Sequence, residues 1–160
     1  CVIDIENPIT ERFSTLRSWL LPSLLQVEGA SSKAYYPHRI FEVGEVARFI
    51  ASQEATETCT RLAAMISPPA ANFSELHSIL EAIFYRLGLK LSLEPVLHPS
   101  FIEGRAGLLI VNKREVGIIG EIDPEVLTRW QIGMPSAAFE IEVELLNKGA
   151  TVSGPTGQFG

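Results

Sequence analysis

Three histidines, two cysteines and a set of closely spaced glutamates are the side chains of this 160-residue sequence best equipped for chemistry. His38, His77 and His98 could each move a proton or ligate a metal, but none has a second ligand at metal spacing. No Ser or Cys pairs with any of them in a recognisable nucleophile pattern, so structural roles are the preferred reading. Glu140, Glu142 and Glu144 alternate along a stretch that reads as a strand and would leave one face together. Magnesium binding is one use of such a row, and a solvated strand face is the simpler one. Arg39 and Arg105 suit an anion, although a surface or interface ion pair suits them better. Cys1 and Cys59 stand in no metal or redox spacing, which points to a reduced, cytoplasmic setting without a zinc site.

The elements that must carry these residues follow from periodicity and punctuation. Val2, Ile3 and Ile5 suggest a short strand ended by Asn7-Pro8, and Ser14 to Leu21 reads as extended. Pro22 suits the first turn of a short helix carrying Leu24, Leu25 and Val27, with Gly29 closing it. Alternation from Arg39 to Val46 predicts a strand, which Arg61 to Ile66 can pair with after a polar connection around Ser52 to Glu57. Leu76, Ile79, Leu80, Ile83, Phe84 and Leu87 mark one face of a helix from Phe73 to Leu87. Asn72 and Glu75 have capping-box spacing at its start, and Gly88 can close its end. Strands are expected at Leu89 to Leu97, Gly107 to Val111 and Glu115 to Ile122, the last two joined by a turn at Asn112-Lys113-Arg114. Asp123-Pro124 opens a short helix to about Gln131, and Ala137 to Val143 is the last strand.

Strands in hairpin order with a few helices, and no regular βαβ rhythm, indicate an α+β domain on a largely antiparallel sheet flanked by helices. Residues 1–147 are expected to form one domain and 148–160 a flexible Gly/Ser/Thr/Pro tail. The 46% hydrophobic and 20% charged residues fit a globular protein. A net charge of −6 argues against a broad nucleic-acid footprint. No apolar run is long enough for a membrane span, and no signal peptide is evident. Cys1 to Glu6 begins as a strand already under way, so the chain is expected to be a piece of a longer one.

Several motifs occur in a definite order. They are Asn7-Pro8-Ile9-Thr10, Leu16-Arg17-Ser18-Trp19-Leu20-Leu21-Pro22-Ser23-Leu24-Leu25, and Tyr36-Pro37-His38-Arg39-Ile40-Phe41-Glu42-Val43-Gly44. Later come His98-Pro99-Ser100-Phe101-Ile102-Glu103-Gly104-Arg105, Gly117-Ile118-Ile119-Gly120-Glu121-Ile122-Asp123-Pro124-Glu125-Val126, and Ala138-Phe139-Glu140-Ile141-Glu142-Val143. Together, over about residues 2 to 147, they resemble the core module of the β subunit of phenylalanyl-tRNA synthetase. The stretch from His98 to Arg105 and Met134-Pro135 resemble its archaeal and eukaryotic form. Asp123 stands where that family would have histidine, at a helix cap that Asp serves well.

The resemblance implies a class II synthetase-like fold and, in the intact enzyme, a heterotetramer of two α and two β subunits that charges tRNA with phenylalanine using ATP. It also implies that this module is catalytically silent. Class II chemistry needs cations beside the phosphates, because negative charge builds there as pyrophosphate leaves. Arg39-Ile40-Phe41-Glu42 resembles a catalytic Arg-Val-Tyr-Arg pattern with Glu42 at the second arginine. Phe139-Glu140-Ile141-Glu142-Val143-Glu144-Leu145 resembles Phe-Gly-x-Gly-x-Glu-Arg, with Glu140 and Glu142 at the glycines and Leu145 at the arginine. A carboxylate 4 Å from a phosphate repels it by roughly 4 kcal/mol per charge pair at an effective dielectric of 20.

The expected role is therefore structural: assembly with the catalytic α subunit, with no catalytic residue, metal or cofactor of its own, and contact with tRNA at most through the complete enzyme. Trp19, Leu20, Leu21, Leu24 and Leu25 are the candidate subunit interface, with ordinary core packing as the equal alternative. A stand-alone class II adenylate-forming enzyme and a general protein-interaction domain are the competing readings.

Overall fold

In a computed structural model, residues 3–4, 15–31, 34–50, 55–68 and 73–147 are described. Ile3–Asp4 (β1) and Thr15–Leu16 (β2) form a small antiparallel pair ahead of the helix Leu21–Ala30 (α1). A long hairpin follows, His38–Ile50 (β3) against Ala55–Ser67 (β4), and then the helix Phe73–Arg86 (α2). Leu91–Pro95 (β5), Phe101–Val111 (β6) and Arg114–Ile122 (β7) lead to the short helix Pro124–Arg129 (α3). Ala137–Glu142 (β8) and Val143–Asn147 (α4) complete the described chain. The six larger strands make one antiparallel sheet in the order β3-β4-β8-β7-β6-β5. The α+β class and antiparallel sheet are as read from the sequence.

Because successive strand residues point to opposite faces, the sheet has two cores. Val46, Cys59, Ala63, Met65, Ile118 and Ala138 pack with Leu20, Leu21, Leu24 and Leu25 of the α1 region. Ile66, Leu109, Ile119, Phe139 and Ile141 pack with Leu76, Leu80 and Phe84 of α2. The central strand β8 is buried at every position, as a strand covered on both faces must be. Gly117 on β7 is where the strands approach closely: an added Cβ would collide with the backbone carbonyl of Glu140.

Several boundaries differ from the sequence reading. The extended stretch expected to reach Leu21 ends at Leu16, because the N–H groups of Leu20 and Leu21 bond a distant carboxylate and start α1 there. Gly29 lies inside α1; Ser31 ends it, donating to the carbonyls of Val27 and Glu28. A glycine is needed at 29 because a Cβ would strike the Trp130 carbonyl. Ile79 on α2 and Leu87 just past its end are 38% and 55% exposed, so the buried stripe narrows to Leu76, Leu80 and Phe84. Gly88 follows that helix with φ 68°, the left-handed closure expected of it. β6 begins at Phe101, six residues early, through a register shift before Ala106 with Gly104 at φ 74°. Asn112 and Lys113 both have positive φ in the β6–β7 turn.

The last strand stops at Glu142, and Val143 to Asn147, read in part as strand, turn into α4. The Glu144 carboxylate there accepts from the Thr60 backbone N–H and hydroxyl, at 3.1 and 3.0 Å. It supplies β4 with an acceptor just past the last β4–β8 pair, Arg61 with Glu142. The Asn7-Pro8 strand end, Asn72, Ser52 to Glu54 and the 148–160 tail lie outside the described residues.

The reading of Asp123 is met: its side chain accepts from the Glu125 N–H at 2.7 Å, with Pro124 in the first turn. Replacing Asp123 with Ala should cost about 1 kcal/mol, measured by urea unfolding.

Candidate functional site

The β3–β4–β8 register decides which acidic side chains share a face. Glu42 pairs with Ala63, which pairs with Glu140, which pairs with Ile118; one position along, Gly44 pairs with Arg61 and Arg61 with Glu142. Glu42, Glu140 and Glu142 therefore project from the face that carries α1. Leu145 does not join them. It lies on α4 and packs, half-buried, against the core on the opposite face.

Each of the three carboxylates holds an arginine of this chain. Arg17 reaches Glu42 at 2.6 Å and also donates to the Glu45 carbonyl. Gly44 beside it leaves the space: a Cβ there would meet the Arg17 guanidinium. Arg48 bridges Glu142 at 3.2 Å and Glu57 at 2.9 Å. Arg61 reaches Glu140 at 3.0 Å, donates to the Ser18 carbonyl at 3.1 Å and lies over the Trp19 ring.

Glu140 is the most enclosed member, with 0% exposure, and Arg61 has 6%. One carboxylate oxygen faces Arg61, and the other accepts from the N–H groups of Leu20 and Leu21 at 3.0 Å each. Those two N–H groups are unsatisfied by the helix itself, and the positive end of the helix dipole favours an anion there. Burial pushes the Glu140 carboxyl above its ordinary value, against the opposing pull of Arg61 and the two N–H groups.

Of the candidate interface residues, Leu20, Leu21, Leu24 and Leu25 are buried in the α1-side core, their apolar area taken up within the chain. Trp19 is half-buried and borders a cleft of about 470 Å³ with Arg17, Pro22, Leu25, His98 and Phe101.

The histidines are separate from the carboxylate row. His38 Nδ1 lies 3.0 Å from the buried Glu28 carboxylate and stacks on Tyr36, whose hydroxyl burial and Glu28 push upward in pKa. His77 stacks on Phe73 and approaches Glu81. Arg39 and Arg105 pair with Glu75 and Glu121. Among the described residues, no three His, Cys, Asp or Glu side chains converge as a metal ion would require.

His98 sits between Trp19 and Phe101, and burial lowers its pKa from 6.5. Its Nδ1 accepts from the Ser100 N–H at 3.2 Å, which requires the neutral ring. The stability it contributes is present above pH 6.5 and is lost as pH falls through its lowered folded value. Against a His98→Gln variant, the wild type should therefore lose melting temperature faster as pH falls below 6.5.

Arg17, Arg48, Arg61 and Glu28 were missed by the sequence reading. One signal was available: Arg61 alternates with Cys59, Ala63 and Met65, so it occupies an inward position among apolar neighbours. Such a charge needs a buried partner.

Residues 2–143 match the family model described as the phenylalanyl tRNA synthetase beta chain CLM domain. Curated proteins named phenylalanine-tRNA ligase beta subunit are similar in sequence. That of Thermococcus onnurineus is 45% identical over 141 residues, 88% of this chain and 25% of the relative. That of Pyrococcus horikoshii is 44% identical over 142 residues, again 88% and 25%. That of Treponema pallidum is 40% identical over 147 residues, 91% and 24%. The chain spans about a quarter of the length of these relatives.

Proposed function

The chain belongs to the phenylalanyl-tRNA synthetase beta chain family, and from that membership we propose that it is a non-catalytic module supporting assembly with a catalytic α subunit. In this reading the intact enzyme is a cytoplasmic heterotetramer that charges tRNA with phenylalanine at the expense of ATP. The module adds structure and no cofactor. The antiparallel sheet, with a long hairpin next to a strand that runs directly into a helix, supports a class II synthetase-like fold. No helix among the described residues is long and apolar enough to cross a membrane.

The observation that carries the silent reading is the carboxylate row. Adenylation needs guanidinium groups directed at phosphate. On this face the guanidinium groups of Arg17, Arg48 and Arg61 are directed at Glu42, Glu142 and Glu140.

Two measurements test the proposal. The chain should co-purify with a phenylalanyl-tRNA synthetase α subunit when the two are expressed together, and alone it should show no phenylalanine-dependent pyrophosphate exchange. Exchange above the background of a heat-denatured sample would establish a competent adenylating site, and failure to co-purify would remove the assembly role.

A further inference from the structure

The surroundings of Glu140 form a convergent set of donors. Two backbone N–H groups at the start of a ten-residue helix and one guanidinium point at one spot in the sheet-facing core. Arg61 is 6% exposed, and the nitrogen that meets Glu140 also donates to the Ser18 carbonyl. The neighbouring inward residues, Ala63, Ala138 and Ile118, are apolar and fully buried. A guanidinium at such a place requires an anion beside it.

We propose that the Leu20 N–H, Leu21 N–H and Arg61 constitute an anion-binding site whose ligand is built into the chain, the Glu140 carboxylate, and that removing this side chain uncovers a site for a small carboxylate. The inference goes beyond the assembly role, since it concerns a site inside this chain with or without a partner subunit. It also changes what disables the face. The cation is still there, and the chain's own carboxylate lies against it.

Glu140→Ala removes the carboxylate and opens space on the β8 backbone while leaving all three donors. Formate carries the charge and the two oxygens of the missing carboxylate and is one carbon smaller than the CH2–COO− unit removed, so it fits the space. At ten times its dissociation constant, sodium formate should raise the melting temperature of Glu140→Ala by roughly 3–6 °C over sodium chloride of equal ionic strength. The amide proton signals of Leu20 and Leu21 should move saturably with formate. Wild type and Glu140→Gln, whose side chains still fill the space, should show no formate-specific rise. The double variant Arg61→Met/Glu140→Ala should lose the effect.

An equal rise in formate and chloride for Glu140→Ala overturns the proposal, as does a formate effect that survives Arg61→Met. If Glu140→Ala does not fold in chloride, recovery of its circular dichroism on refolding in formate supports the proposal, and failure in both salts overturns it. Loss of co-purification with an α subunit leaves these readings untouched, so the two proposals fail separately.

Discussion

Replacing Arg61 with methionine should lower the stability of the chain by about 3–5 kcal/mol, because it leaves a buried carboxylate without its countercharge. Glu140 has 0% exposure, and the two N–H groups of Leu20 and Leu21 would be left to hold it. Removing one partner of a buried pair is worse than removing the charge from both, since desolvation of the survivor is then uncompensated. Arg61→Met/Glu140→Gln should therefore be more stable than Arg61→Met alone: the amide oxygen still accepts from α1, and neither position carries a charge. Urea unfolding of the wild type, both single variants and the double variant yields the coupling directly.

The pH dependence has a definite sign. The folded-state pKa of Glu140 lies above its ordinary value of 4.5, so its contribution is full below that pH and declines as pH rises through the folded value. In Arg61→Met the loss should accordingly shrink as the pH is lowered and the carboxylate takes up a proton. A loss below about 1 kcal/mol at neutral pH would place Arg61 and Glu140 in solvent, where ion pairs contribute that little.

Phe139→Ala should be comparably damaging, at about 3–5 kcal/mol, for a different reason. Phe139 has 2% exposure at the middle of β8, between Ala64 on β4 and Ile119 on β7. It belongs to the core that holds Leu76, Leu80 and Phe84 of α2. Truncation removes the ring's burial and leaves a cavity that a covered central strand cannot close by moving. A midpoint in urea close to that of the wild type would show that α2 is held to the sheet by something else.

These two residues also separate what the sequence disclosed from what it hid. Phe139 sits in an alternating apolar pattern, so its strand was legible from local order. The same is true of α2, whose Leu76, Leu80 and Phe84 repeat with the helical period, and of Asp123-Pro124, where cap and helix start are adjacent. Arg61 and Glu140 are 79 positions apart, and no local rule pairs them. The start of α1 was hidden for the same reason, since its carboxylate comes from β8. Glu42, Glu140 and Glu142 were singled out as reversed charges, and strand parity puts them on one face; Leu145 left the group because Val143 begins a helix. The ordered motifs identified the family without specifying which arginine meets which glutamate.

The link from the start of α1 to Glu140 spans 120 positions. During synthesis, Leu20 leaves the ribosome long before the strand that will meet it, so the helix start and Arg61 have to wait for nearly the whole described chain. Contacts of such separation slow folding and prolong exposure of apolar surface. The Leu20-Leu21-Leu24-Leu25 cluster can be covered in part once the β3–β4 hairpin is made, but the N–H groups that open α1 gain their acceptor only when β8 arrives.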